Sequence, residues 1–166
     1  MTRTQAPSGT VGPGPESPEL HLERRLAHPV ETVWDAMTRS ATMERWIGRW
    51  EGDPGSGTVT FFMTAEGEDV EPEAVAIRAC EAPRRFAAET RVGAEAWQVG
   101  FTLRTEDDVT VLDFHQVVGS EPLASIGPGW EYYLDRLAVA LDGGEASAVD
   151  WADYYPAMSD DYASLA

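Results

Sequence analysis

Six segments of the chain carry apolar residues at every second position, which is the period of a β-strand. The first covers residues 19–26, and the other five follow one another between residues 59 and 118. The links between these five segments are short and polar, as hairpin turns are. We therefore expect consecutive strands to pair antiparallel and to form one six-stranded sheet.

Two short segments after the first strand have a helical period instead. Val30, Val33 and Met37 recur at helical spacing behind Pro29, a residue that suits the first turn of a helix. Ser40 is placed to cap a second short helix that reaches about residue 47. The glycine-rich run at 52–57 then predicts a loop.

The strongest helical pattern lies near the end of the chain. One continuous apolar stripe is formed by Trp130, Tyr133, Leu134, Leu137 and Leu141. Gly143 and Gly144 end this helix. Its start is open, because the pattern allows a beginning near Glu121 or only after Pro128.

Both ends of the chain differ from this periodic region. Residues 1–18 are rich in Gly and Pro with almost nothing apolar, which predicts a disordered N-terminal arm. Residues 144–166, the C-terminal tail, are acidic but hold four aromatic residues. Because a solvated tail rarely carries so many, we expect it to pack on its own domain or on a partner, including a second copy in a homodimer.

Together these elements predict an α+β domain over residues 19–143. A strongly curved antiparallel sheet has one apolar face, and that face must be covered. The stripe of the long C-terminal helix matches it, so we expect this helix over the concave face, with the two short helices after strand 1 closing one end. Such an arrangement leaves a gap in which small apolar ligands bind.

Three segments carry a family resemblance in the same order: 29–38 (PVETVWDAMT), 43–47 (MERWI) and 129–137 (GWEYYLDRL). They resemble the helix-grip fold of the START/Bet v 1 (SRPBCC) superfamily. Within it, the chain is similar to the bacterial branch related to the C-terminal domain of the activator of the Hsp90 ATPase. The superfamily includes ligand carriers, hormone receptors, aromatic polyketide cyclases and co-chaperones, so the resemblance implies a fold and leaves function among these classes.

The amino-acid composition excludes several classes of binding partner and cofactor. The chain has 29 Asp plus Glu against 12 Lys plus Arg, a formal net charge of −17. Such a surface repels nucleic acid and anionic membranes. All 12 basic residues are Arg, and the lack of Lys excludes Schiff-base and pyridoxal-phosphate chemistry. With no secretory signal and no apolar run of about 20 residues, the expected location is the cytoplasm.

Candidate catalytic and metal-binding groups are few. No two of the three histidines have metal-ligand spacing, and the single Cys80 reads as a small buried strand residue, so we expect no metal and no organic cofactor. The acidic run from Glu66 to Glu73 lacks a calcium-loop pattern and reads as a solvated hairpin loop. Weak catalytic candidates are His115 and Asp113 on the last strand and Arg24 on the first.

The orientation of these candidates is open. Asp113 and His115 share the face opposite Phe114, so they point to solvent if Phe114 points into the gap. Arg24 lies on the apolar face of its strand, where it is buried against a carboxylate, marks the polar end of a ligand, or merely extends to solvent at the edge.

Flat apolar side chains are the better evidence for a binding site, because Trp and Tyr offer an apolar face with a polar edge. We predict that the ligand contacts Trp46, Phe61, Met63, Trp97, Phe101, Phe114, Trp130 and Tyr133. The leading hypothesis is a protein that binds a small apolar or aromatic molecule. The alternatives are a cyclase- or hydrolase-like enzyme that uses the same cavity, and a protein-interaction module resembling the Hsp90 activators.

Overall fold

Eight strands form a single antiparallel sheet in the computed structural model, which describes residues 7–66, 71–92, 95–119 and 121–165. The strands are β1 (Thr10–Gly12), β2 (Glu19–Leu26), β3 (Arg49–Glu51), β4 (Thr58–Phe62), β5 (Glu73–Glu81), β6 (Arg85–Val92), β7 (Glu95–Glu106) and β8 (Val109–Val117). Their order across the sheet is β1-β2-β8-β7-β6-β5-β4-β3. The chain therefore returns from β8 to pair with β2, and the other neighbours follow one another in sequence.

Four α-helices accompany the sheet: α1 (Val30–Thr38), α2 (Ser40–Met43), α3 (Leu123–Leu141) and α4 (Ser159–Ala163). Short 3-10 turns lie at Pro54–Ser56, Thr64–Glu66, Ala146–Ala148 and Trp151–Asp153. The α+β class, the antiparallel sheet and the long C-terminal helix are confirmed. The count of six strands is wrong.

Both extra strands lie where the sequence has too few alternating residues to show a period. β1 falls in the predicted disordered arm, where Val11 pairs with Leu20 of β2 and packs against the core. β3 falls just before the glycine-rich loop and pairs with β4. Backbone hydrogen bonds to the neighbouring strand stabilise both strands, and the apolar pattern of the sequence does not reveal such bonds. Residues 1–6 of the predicted arm lie outside the described residues.

Ser40 does not cap α2, because it is the first residue of that helix and Arg39 occupies the cap position. The Ser40 hydroxyl instead donates to the carbonyl oxygen of Trp50 (2.8 Å) and accepts from its backbone N–H (3.2 Å). It thereby fastens β3 to the start of α2.

The long helix α3 begins at Leu123 and contains Pro128, so the earlier of the two starts is the observed one. Proline has no N–H to bond the carbonyl four residues back, which here is that of Ala124. The Ser159 hydroxyl of α4 donates to this carbonyl oxygen at 3.0 Å. The C-terminal tail thus satisfies the group that proline leaves open.

The C-terminal tail packs on its own domain. Tyr154, Met158 and Tyr162 are buried, and the Tyr162 side chain lies against α3 and the N-terminal segment. Trp151 and Tyr155 stack on each other and remain exposed.

Cys80, expected to be buried, is exposed. It lies next to the last residue of β5, beyond a register shift between Ile77 and Ala79. The shift inserts one residue opposite β6, so Ala79 no longer shares the face of Ile77 as simple alternation predicts.

Two neighbouring glycines of α3 provide a test of this packing. A methyl group at Gly127 would overlap the Tyr162 ring, whereas one at Gly129 would meet nothing within 4 Å. Both changes to Ala gain helix propensity of about 0.5–1 kcal/mol. We expect Gly129→Ala to raise the free energy of unfolding by that amount. Gly127→Ala should lower it by about 1–3 kcal/mol through overpacking.

Urea denaturation of both variants measures the difference. If Gly127→Ala is as stable as Gly129→Ala, the tail does not hold Tyr162 against α3.

Candidate functional site

A cavity of about 680 Å³ lies between the inner face of the sheet and α3. Its sheet side is formed by residues of β3 to β8, and α1, α2 and the turn after α2 close one end. The described residues that line it include Met37, Met43, Ile47, Trp50, Val75, Phe86, Ala88, Val99 and Ile126. This wall is almost entirely apolar.

Strand alternation and register bring the sheet residues together. Thr90 pairs with Trp97 and Phe86 with Phe101, so the inward residues of β6 and β7 stand side by side. Phe101 in turn pairs with Phe114 of β8. Because directly paired residues share a face, the wall continues across three strands.

The structure places all eight of the predicted ligand-contact residues around this cavity: Trp46, Phe61, Met63, Trp97, Phe101, Phe114, Trp130 and Tyr133. Trp46, Phe101, Phe114 and Tyr133 are buried, and the other four are half-buried. Whether they contact a ligand stays a prediction.

Trp130 is the best-fixed residue of the helix side. Its ring centroid lies 4.2 Å from that of Phe114, and its Nε1–H donates to the Gln116 side-chain oxygen at 2.5 Å. Next to it, Gly129 leaves open space where a side chain would stand. A rigid ring beside an empty position is an arrangement that can receive a flat molecule.

Four polar residues interrupt the apolar wall, and none of them is predicted from the sequence to belong to the site: Glu73, Thr90, Glu121 and Ser125. Glu73, expected in a solvated loop, begins β5 and is half-buried, and the Thr90 hydroxyl donates to its carboxylate at 3.2 Å. Residues 67–70 of that predicted loop lie outside the described residues. The Trp97 Nε1–H is buried without an acceptor in the described part of the chain.

None of the three catalytic candidates is among the lining residues. Phe114 points into the cavity, so its neighbours Asp113 and His115 lie on the outer face of the sheet. The His21 and His115 rings lie there with centroids 5.7 Å apart, and His21 Nδ1 is 3.1 Å from Asp113 Oδ1. Partial burial lowers the pKa of His115.

Arg24 is buried against carboxylates, one of the three orientations that the sequence left open. Its Nη2 donates to Glu131 Oε2 at 2.6 Å and its Nε to Asp135 Oδ1 at 3.1 Å, both on α3. Burial by itself would lower the pKa of Arg24, but the two negative charges outweigh it and raise that pKa. Arg24 therefore holds α3 against β2.

Glu131 is the centre of this group, which we call the Glu131 cluster: Ser8, Arg24, Glu131, Asp135, Tyr154 and Tyr162. One Glu131 oxygen accepts from the Ser8 N–H and hydroxyl, both at 2.7 Å, and from the Tyr162 hydroxyl at 2.5 Å. The Tyr154 hydroxyl donates to Asp135 at 2.6 Å. Burial would raise the pKa of Glu131, but these donors and the Arg24 charge lower it overall.

Arg136 supports the other end of the cavity. Its Nε donates to the Trp46 carbonyl oxygen at 2.8 Å, and its Nη1 donates to the Ala146 carbonyl oxygen and the Tyr132 hydroxyl. These bonds connect α3 to the turn after α2 and to the C-terminal tail. The Trp46 ring itself is held at the cavity by its Nε1–H, which donates to the Ala36 carbonyl oxygen at 2.7 Å.

Within the described ranges, no group of three or more His, Cys, Asp or Glu side chains is arranged to hold a metal ion. Of the helices that the structure describes, none combines the length and apolarity needed to cross a bilayer.

A family model described as "Activator of Hsp90 ATPase homolog 1-like protein" matches residues 27–142, well over half of the chain. The chain belongs to this family. The match ends before the C-terminal tail, so Tyr154 and Tyr162 lie outside the matched region. No curated protein sequence matches the chain.

Solved structures of the same SRPBCC fold resemble it over most of its length. The crystal structure of CalU16 from Micromonospora echinospora is 25% identical with a TM-score of 0.75, and 98% of each chain is covered. DynU16, from the dynemicin biosynthetic locus, is 22% identical with a TM-score of 0.67, covering 77% of this chain and 49% of that one. A conserved protein of unknown function from Enterococcus faecalis is 14% identical with a TM-score of 0.72, covering 95% and 92%.

The lowered pKa of Glu131 predicts how acid acts on the fold. Its carboxylate stabilises the native state at pH values above its ordinary pKa of 4.5, and this contribution is lost as the pH falls through the lower native pKa. We expect Glu131→Gln to lower the free energy of unfolding by about 3 kcal/mol near pH 7, because it leaves Arg24 partly unpaired. The gap to the wild type should shrink as the pH falls below 4.5.

Urea denaturation as a function of pH measures this gap, with the exposed Glu31→Gln as the control for net charge. A gap that is constant with pH would contradict the role of the Glu131 charge.

Proposed function

We propose that this protein binds a small apolar or aromatic molecule in the cavity between the sheet and α3. The observation that carries the proposal is an unfilled space of about 680 Å³ walled by aromatic side chains. This volume lies within the range of roughly 300–1,000 Å³ that is typical of ligand pockets. Open apolar space costs packing energy, which a ligand recovers on binding.

The relatives support this class of function without naming a ligand. DynU16 comes from a biosynthetic locus, which is consistent with a function that involves a small molecule. We propose a cytoplasmic carrier that needs no metal or organic cofactor.

The two alternatives have less support. An enzyme that uses this cavity needs a titratable group inside it, and the candidates His115, Asp113 and Arg24 do not line it. An interaction module predicts a filled core, whereas this core contains a cavity. The exposed Trp151 and Tyr155 are the surface through which a protein partner or a second copy would bind.

Position 129 gives a direct test of the cavity. A phenylalanine there would extend into open space, whereas an alanine would leave most of it free. We expect Gly129→Phe to weaken binding of the neutral fluorescent probe N-phenyl-1-naphthylamine about tenfold, or 1.4 kcal/mol, and Gly129→Ala to bind as the wild type does.

Fluorescence titration measures the affinity, and the wild-type melting temperature should rise with probe concentration. Absence of binding by the wild type, or equal binding by Gly129→Phe, would refute the proposal.

Trp151 tests whether the C-terminal tail contributes to the site. Its ring contacts Tyr132 of α3 edge-on (centroids 5.1 Å apart) and lines the cavity, while its stacking partner Tyr155 does not. We expect Trp151→Ala to weaken probe binding about threefold to tenfold, the usual worth of one aromatic contact. Tyr155→Ala, which removes an equally exposed ring, is the matched control.

The same titration distinguishes the two changes. Equal effects of both variants would mean that the tail acts only on stability.

A further inference from the structure

The polar side chains among the described lining residues lie together at one end of the sheet. Because neighbouring strands are antiparallel, β5 and β7 begin at this end and β6 and β8 finish there. Glu73 is the first residue of β5, and Thr90 lies near the end of β6. Glu121 follows β8, and Ser125 belongs to the first turn of α3. Trp97, which pairs with Thr90, has the buried Nε1–H without an acceptor in the described ranges.

The other end of the cavity is apolar. Phe86 and Phe101 lie four residues further along β6 and β7 than the Thr90–Trp97 pair, or about 13 Å away. Their rings stack with centroids 5.6 Å apart, and Trp34 of α1 packs edge-on against Phe101. The cavity therefore has a polar end and an aromatic end.

The helix side has the same gradient. Ser125 and Gly129 are on adjacent turns of α3, four residues apart, and Glu121 stands four residues before Ser125. All three line the cavity. Within the described residues, neither the Glu121 carboxylate nor the Ser125 hydroxyl has a hydrogen-bond partner. Ser125 is exposed and Glu121 is half-buried, so the polar end opens to solvent.

A hydroxyl group matches the hydrogen-bonding groups of this end. The Glu121 carboxylate only accepts hydrogen bonds, whereas the Ser125 hydroxyl also donates. A ligand hydroxyl has one donor and two acceptor lone pairs, so it can bond to both, and its bond to the carboxylate is charge-assisted. At the aromatic end the same hydroxyl would lose its hydration without gaining a partner. This difference sets the orientation of the ligand.

Charged groups fit this end less well. A ligand carboxylate has no proton to donate and is repelled by Glu121. A ligand ammonium is attracted, but an ion pair beside solvent contributes little, and the cation loses much of its hydration next to the aromatic wall.

We infer that the cavity takes an aromatic or apolar molecule with a neutral hydroxyl group at one end. The hydroxyl lies at Glu121 and Ser125, and the apolar body extends past Gly129 toward the aromatic end. The inference rests on the proposed function and specifies the chemistry and orientation of its ligand.

Two probes of nearly equal shape test the hydroxyl site: 1-naphthol, which is neutral at pH 7, and 1-methylnaphthalene, in which a methyl group replaces the hydroxyl. Displacement of N-phenyl-1-naphthylamine, followed by fluorescence, measures both affinities. A wall without hydrogen-bonding partners favours the methyl compound, because water retains the hydroxyl. We expect the wild type to bind 1-naphthol at least as tightly as 1-methylnaphthalene.

Matched variants assign the effect to the polar end. Glu121→Met combined with Ser125→Ala should weaken 1-naphthol binding about tenfold, the loss expected for a hydrogen bond to a charged group. Binding of 1-methylnaphthalene should be unchanged or tighter, which also shows that the variant is folded. Glu31→Met removes an exposed carboxylate from α1, outside the cavity, and should keep the wild-type ratio of the two affinities. Gly129→Phe occupies the place of the apolar body and should weaken both probes alike.

The outcomes separate the two proposals. Tighter wild-type binding of 1-methylnaphthalene than of 1-naphthol would overturn the hydroxyl site and leave the proposed function standing. So would a wild-type ratio of affinities in the Glu121 and Ser125 double variant. If neither of these probes nor N-phenyl-1-naphthylamine binds the wild type, the proposed function fails and the inference falls with it.

Discussion

Glu131 is a buried carboxylate that accepts hydrogen bonds from three distant parts of the chain: the N-terminal segment, β2 and the C-terminal tail. A buried negative charge is tolerated only when its oxygens are fully bonded and a cation lies beside it. Ser8, Arg24 and Tyr162 meet that condition together. The position of α3 on the sheet therefore depends on a buried polar cluster beside β2, outside the cavity.

This constraint explains how the cavity persists. A helix held only by its apolar stripe settles until the space beneath it is filled, because empty apolar space is costly. Here the Glu131 cluster and Arg136 hold α3 by directional bonds to β2, the turn after α2 and the tail. Gly129 keeps the inner side of the helix open. The polar bonds that hold α3 outside the cavity and the apolar space beneath this helix are therefore two consequences of the same arrangement.

The C-terminal tail and the N-terminal segment add contacts that lie outside the residues matched by the family model. Residues 27–142 match the model, yet Ser8, Arg24, Tyr154 and Tyr162 lie outside that range. Ser159 satisfies the carbonyl that Pro128 leaves open, and Trp151 reaches the cavity. The parts of the chain beyond the family region therefore hold α3 in place and help to enclose the candidate site.

Local periodicity was enough to predict the α+β class, the antiparallel sheet, α3 and the eight aromatic or Met residues around the cavity. Periodicity reports which face of an element is apolar, and Phe101, Phe114 and Trp130 follow from it directly. It could not reveal β1 or β3, which are too short to show a period. It also could not decide whether His115 and Asp113 point into the cavity or outward. The pairing of Arg24 with Glu131, the inward place of Glu73 and the folding back of Tyr162 join residues far apart in the chain. Only the tertiary structure decides such contacts, because they depend on how the elements meet and not on the pattern within any one of them.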